Sequence, residues 1–134
     1  MTINKKSYLK KYNWEGKTIL VVEDDEASYI FLRELLSGTR AKIVMAQDGR
    51  QAMKYCQDEQ PDLVLLDIKI PFINGFDVLK KLKKKYPQLP VIAQTAFSSV
   101  EYEQQCIEAG FDRYLSKPLQ GDLLLKTLHS ILFP

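Results

Sequence analysis

From Lys17 onward, short apolar runs alternate five times with stretches whose apolar residues recur at helical spacing. TILVV, residues 18–22, is a continuous β-branched and apolar run. Phe31, Leu32, Leu35 and Leu36 then share one helical face, and Gly38 suits the stop. AKIVMA, residues 41–46, reads as a second strand. Asp48 is placed to cap a helix over QAMKYC, and Gln51, three residues on, completes a capping-box pattern. LVLL, residues 63–66, is the third strand. A helix from about Gly75 turns Phe76, Leu79 and Leu82 inward and sends Lys80, Lys81, Lys83, Lys84 and Lys85 mostly outward, as a solvated face. LPVIAQ, residues 89–94, is the fourth strand, with Pro90 near its start, where no ladder donor is required. Ser98 and Glu101 suggest another capping box for a helix that ends at Gly110. Residues 113–115 form a short fifth strand, and Leu124, Leu125, Leu128 and Ile131 line one face of a last helix.

Strands that are apolar throughout, rather than alternating, are buried on both faces, which calls for a parallel sheet between two layers of helices. Five strand–helix units in one chain of 134 residues give a single doubly wound (βα)5 domain of the α/β class. No repeat or low-complexity segment interrupts it. The one boundary falls near Gly16: residues 1–16 read as a basic tail or linker and residues 17–134 as the domain.

Composition narrows the function classes. The chain is 46% apolar and 27% charged with a net charge of +2, ordinary for a globular domain. Residues 1–16 carry +3 of that, so the body is close to neutral. A body without a basic face argues against direct DNA binding. No apolar run approaches the roughly 18 residues of a membrane span. The N-terminal lysines are not followed by the apolar stretch of a secretory signal. Cys56 and Cys106 fit no metal-ligand spacing and read as packing residues with reduced thiols, which suits the cytoplasm. YLKKYNW, residues 8–14, reads as disordered chain or linker, although Trp14 could pack on the domain edge. His129 reads as a surface or edge residue with nothing around it to suggest a phosphate relay.

The chemistry lies at the strand ends. In an open parallel sheet, ligands sit beyond the carboxyl ends of the strands. Strand one ends in Glu23-Asp24-Asp25, strand three in Asp67, strand four in Gln94-Thr95-Ala96 and strand five in Ser116-Lys117-Pro118. Singly, these have ordinary readings: Asp24 or Asp25 as a helix cap, Thr95 as a turn residue, Lys117 as a solvated side chain. Jointly they deliver carboxylates, a hydroxyl and an ammonium to one edge. Clustered carboxylates need a cation, and an all-oxygen set suits Mg²⁺. Such a set fits phosphoryl transfer, with Asp67 as nucleophile and Thr95 and Lys117 on the phosphoryl oxygens.

The segments ILVVEDD (19–25), LLDIKIPFINGFDVL (65–79), PVIAQTAF (90–97) and EAGFDRYLSKPL (108–119) together resemble the receiver domain of two-component response regulators, the chemotaxis-type, flavodoxin-like fold. The resemblance covers about Lys17 to Leu132. It implies strand order 2-1-3-4-5 and makes Asp67 the phosphoacceptor. Asp24 is then a direct Mg²⁺ ligand, Glu23 a ligand through water, and the backbone carbonyl of Lys69 the third protein ligand. Thr95 and Tyr114 match the switch pair, and Lys117 the phosphate-binding lysine, typically followed by a cis proline bond. Lys69 and Phe97 match the positions that tune hydrolysis, and their bulk suggests a slowly hydrolysed phosphoaspartate. Glu23, Ile70 and Asn74 depart from the commonest residues without removing any of this chemistry. The implied partners are a histidine kinase or phosphotransfer protein as donor and an unidentified downstream protein bound by the face of the fourth helix, fifth strand and fifth helix. A receiver of this kind modifies itself and is not a turnover enzyme.

Rival readings fare less well. EDDEAS after the first strand lacks the glycines of a nucleotide-binding loop. A haloacid-dehalogenase-like phosphatase needs an aspartate two residues past its nucleophile, where Lys69 stands. A phosphorylation-independent pseudo-receiver usually lacks a key residue, and all are present. Only Phe133 and Pro134 follow Leu132, so the expectation is either a stand-alone receiver, as Met1 suggests, or the receiver module of a hybrid sensor kinase, which PVIAQTAF resembles.

Overall fold

The computed structural model describes residues 12–69, 74–96 and 99–134. Five strands, β1 (Thr18–Val22), β2 (Lys42–Ala46), β3 (Leu63–Asp67), β4 (Val91–Thr95) and β5 (Arg113–Ser116), form one parallel sheet of order β2-β1-β3-β4-β5. Helices α1 (Glu26–Ser37), α2 (Gly49–Asp58), α3 (Gly75–Lys85), α4 (Val100–Ala109) and α5 (Gly121–Leu132) alternate with them. This is the doubly wound α/β architecture that the sequence pattern and the resemblance call for.

The period-two alternation of each strand explains how one sheet feeds two cores. Leu20, Val22, Val64, Leu66, Val91 and Ala93 join Ala52, Val78, Leu79, Leu82 and Cys106 under α2, α3 and α4. Ile19, Val21, Leu63, Leu65 and Ile92 join Leu32, Leu35, Leu36, Leu125 and Leu128 under α1 and α5. The three central strands are buried throughout apart from the first residue of β1, whereas the edge strands β2 and β5 are partly exposed. Each fully buried aliphatic side chain contributes about 1.5–3 kcal/mol, so these two layers are the dominant favourable contribution to folding. Cys56 and Cys106 are buried free thiols, and burial pushes Cys56 up to about 11, which makes it a packing residue.

Several local expectations shift. β2 begins at Lys42 rather than Ala41, and β4 covers Val91–Thr95, so Pro90 stands before the strand and offers its carbonyl to the Val64 amide at 2.9 Å. The Asp48 carboxylate caps α2 by accepting from the Gln51 amide, but the Gln51 side chain reaches one residue further back, to the Gln47 amide at 2.9 Å. The cap of α4 is Ser99, whose hydroxyl accepts from the Tyr102 amide; Ser98 lies outside the described residues. Phe76 is only half-buried, and Val78 takes the inward position. Ile131 is half-buried, with Leu132 completing the α5 stripe. Lys83 leaves the solvated face: its ammonium donates to the Asp112 carboxylate and to the Leu89 carbonyl, both at 2.8 Å, tying α3 to the segments that lead into β4 and β5.

The segment before β1 is also packed. Trp14 is fully buried and Tyr12 nearly so, both within the α1–α5 core. The indole N–H of Trp14 donates to Nδ1 of His129 at 2.9 Å, and its backbone amide donates to the Thr39 carbonyl at 2.6 Å. His129 is therefore half-buried between Tyr12, Trp14 and Phe133 rather than a bare surface residue. Residues 1–11, the rest of the expected tail, lie outside the described residues.

Candidate functional site

Parallel register carries the strand ends to one edge. Val22 pairs with Leu66, Asp67 with Gln94, and Thr95 with Ser116. Glu23, one residue past β1, thus comes beside Asp67. Lys117, one residue past β5, is fixed at the same edge by donating its amide to the Thr95 carbonyl at 2.7 Å. The Lys117–Pro118 peptide bond is cis.

At the centre, the Lys117 ammonium donates to Oδ2 of Asp67 at 2.8 Å and to Oε1 of Glu23 at 2.9 Å. The other Asp67 oxygen, Oδ1, accepts from the Lys69 amide at 3.0 Å. Glu23 and Asp67 are both buried, at 1% and 7% exposure, and share the partly exposed Lys117 ammonium. Burial, followed by the hydrogen bond to Asp67, pushes Glu23 up to about 7 in spite of Lys117. Burial works against the Lys117 ammonium, yet the Asp67 and Glu23 carboxylates more than offset it and hold its pKa above the ordinary lysine value. Asp24 is exposed at the mouth.

One ligand oxygen from each of Glu23, Asp24 and Asp67 falls within 4.8 Å of the others. This donor set is all carboxylate, it is half desolvated, and one member holds its proton to near neutral pH. It fits a hard divalent cation, which would replace that proton and satisfy the repelling oxygens. Asp25 is separate from the set. Its side chain accepts from the Ser28 amide at 3.0 Å and the Ser28 hydroxyl at 2.6 Å, capping α1, and those bonds hold its carboxyl below the usual range.

Thr95 is buried at the end of β4, and Tyr114 is half-buried on β5 against the core under α4. A further residue, which no sequence pattern singles out, meets Thr95. Tyr102, in the first turn of α4, hydrogen-bonds Thr95 through its side chain and packs edge-on to Phe76 at 6.2 Å between centroids. Its only sequence signal was its place one turn after the cap of the helix that follows Thr95. The structure thus brings Glu23, Asp24, Asp67, Thr95 and Lys117 to one edge, with Lys69 contributing its amide. Phe97 and Ile70 lie outside the described residues.

Residues 19–129 match the family model of the response regulator receiver domain. The chain belongs to the receiver domain family. Among curated relatives, this receiver is 39% identical over 114 residues to the transcriptional regulatory protein ZraR of Escherichia coli, covering 85% of this chain and 26% of that protein. It is 31% identical over 118 residues to the polar-differentiation response regulator DivK of Brucella ovis, covering 87% of this chain and 96% of that one. The receiver thus spans about a quarter of ZraR and nearly all of DivK. Among solved structures it superposes on the BeF3-activated receiver domain of Klebsiella pneumoniae RstA with a TM-score of 0.83 at 28% identity, covering 88% of this chain and 100% of that one. The CheY-like receiver of Methanospirillum hungatei gives 0.80 at 29% identity, covering 87% and 93%. Among the described residues, no helix is long and apolar enough to cross a membrane.

Proposed function

We propose that this receiver accepts a phosphoryl group on Asp67 from the phosphohistidine of a histidine kinase or phosphotransfer protein in the cytoplasm. One observation carries the reading above all: Asp67 is a nearly buried carboxylate with the Lys117 ammonium at 2.8 Å and two further acids within reach of a shared cation. An Asp67 oxygen attacks phosphorus, the new O–P bond replaces the N–P bond, and the donor imidazole leaves. Glu23, Asp24, Asp67 and the Lys69 carbonyl would hold Mg²⁺, which when bound offsets charge on the phosphoryl oxygens. Lys117 already faces the Asp67 oxygens and stabilises the charge that arrives there. Lys69 and Phe97 tune how fast water removes the group.

The readout follows from the hydroxyl at the strand end. Thr95 turns toward the phosphoryl group and Tyr114 moves into the space it leaves, so the surface of α4, β5 and α5 changes for a downstream protein. Phosphorylation then shifts a population between two states, because the phosphoryl oxygens contact Thr95 in one of them only. The receiver is consumed and restored rather than turning over a separate substrate. In support, a similar solved structure is of a BeF3-activated receiver, and the curated relative DivK is a response regulator. Incubation with radiolabelled acetyl phosphate and Mg²⁺ tests the reading. Wild type takes up label and Asp67→Asn takes up none; equal labelling of the two would refute the acceptor assignment.

A further inference from the structure

Tyr102 reaches the site from a helix rather than from a strand end. It stands in the first turn of α4, where its amide donates to the Ser99 hydroxyl at 3.0 Å and fixes the start of the helix. Its ring is half-buried against the core under α4 and lies edge-on to Phe76 of α3 at 6.2 Å. Phe76 in turn meets Phe111 edge-on at 5.9 Å. These contacts account for an aromatic ring, and the phenylalanine ring would make them equally well. They do not account for the hydroxyl.

The Tyr102 side chain shares a hydrogen bond with the side chain of Thr95, which is buried at the end of β4. Burial above all, with a smaller push from the Asp67 charge, holds the Tyr102 phenol above the ordinary tyrosine value, so it remains a neutral O–H near neutral pH. Tyr114 also feels Tyr102 electrostatically. One phenol on α4 is thus bonded to Thr95 and lies within electrostatic reach of both Asp67 and Tyr114.

A threonine hydroxyl carries one proton and occupies one staggered χ1 well at a time. Turning that hydroxyl toward a group on Asp67 withdraws it from Tyr102. A bond made in only one of two arrangements weights the equilibrium toward that arrangement. Its loss also removes a tether between the end of β4 and the first turn of α4. We infer that Tyr102 is a positioning residue: it latches Thr95 in the unswitched rotamer, and its release frees the first turn of α4. The inference rests on the readout role proposed for Thr95, but the latch itself is observable without any phosphoryl group.

The test follows the Thr95 χ1 couplings and the Tyr114 ring resonances by NMR in the full chain, for wild type and Tyr102→Phe. Without ligand, wild type should hold Thr95 in one rotamer. Tyr102→Phe should average two, with Tyr114 moved part-way toward its position in the beryllofluoride complex. With Mg²⁺ present, beryllofluoride should bind Tyr102→Phe about three- to tenfold more tightly, the weight of one neutral hydrogen bond. On a Thr95→Val background, Tyr102→Phe should change that affinity by less than about twofold, because the effect runs through Thr95. A residue that only fills space would lower the thermal midpoint and leave the couplings and the affinity unchanged. That result, weaker beryllofluoride binding by Tyr102→Phe, or an undiminished gain on the Thr95→Val background would overturn the latch. Failure of wild type to bind beryllofluoride would instead overturn the phosphoacceptor reading, and the ligand-free rotamers would still decide the latch.

Discussion

Glu23 is the residue on which the electrostatics of the site turn. Its carboxyl is raised to about 7 first by burial and then by Asp67, so the folded protein holds a proton that the unfolded chain releases near the ordinary carboxylate value of 4.5. A raised folded pKa on an acid means stability is fullest below about 4.5 and is lost as pH rises through about 7. Metal-free protein should therefore show a urea midpoint that falls across that window. Mg²⁺ should flatten the fall, and Glu23→Gln should remove it. Apparent Mg²⁺ affinity, read by titration, should correspondingly strengthen with pH up to about 7, because the cation displaces the proton. The acids, Thr95 and Lys117 were legible in the sequence because each stands at or just past the C-terminal end of a strand, and parallel register does the rest. Tyr102 was not, since an aromatic residue on a helix surface carries no mark of the hydroxyl it meets across the fold. Nor was the isolation of the Gln94 amide, which depends on what α1 and α5 fail to offer it.

At the level of elements, the strand–helix alternation was readable almost throughout because the strands other than β5 are short, largely apolar runs and four of the five helices start on a capping side chain. What the pattern could not supply were contacts between elements. Lys83 looks like its four neighbours in a lysine-rich run, yet it alone among them meets Asp112, a residue 29 positions away. Gly75 is another such case. A Cβ there would lie 2.5 Å from the Ile68 Cα and 2.7 Å from the Ile68 carbonyl oxygen, both backbone atoms directly after the site aspartate. The Gly75 amide donates to that same carbonyl at 2.8 Å, so α3 is seated against the strand end by the absence of a side chain. Gly75→Ala should force the two segments apart at a cost of about 1–3 kcal/mol. Chemical denaturation would measure the loss, and the Lys69–Asp67 hydrogen bond should weaken with it.

Across the whole molecule, the packed body extends beyond the span of the family match. The match starts at residue 19, but Tyr12 and Trp14 are set into the α1–α5 core, where both rings meet His129 and the Trp14 indole donates to it. A basic, aromatic stretch before the first strand looks like a linker because its apolar residues have no period. Only the tertiary fold shows that they fill a gap beside α5. Trp14→Ala should lower stability by about 3–5 kcal/mol, as for other buried tryptophans. Trp14→Phe should recover most of the packing but not the bond to His129. Thermal melts of the two variants would separate these contributions.

In the function proposed above, the buried carboxylate at position 67 carries the phosphoryl group with help from a divalent cation. The most direct measurement is to map the modified residue after acetyl phosphate treatment, by borohydride reduction and peptide mass spectrometry, with and without a chelator. A single reduced aspartate, Asp67, is expected, and it should disappear when divalent cations are removed. Modification at another residue, or modification of Asp67 that is indifferent to the chelator, would contradict it.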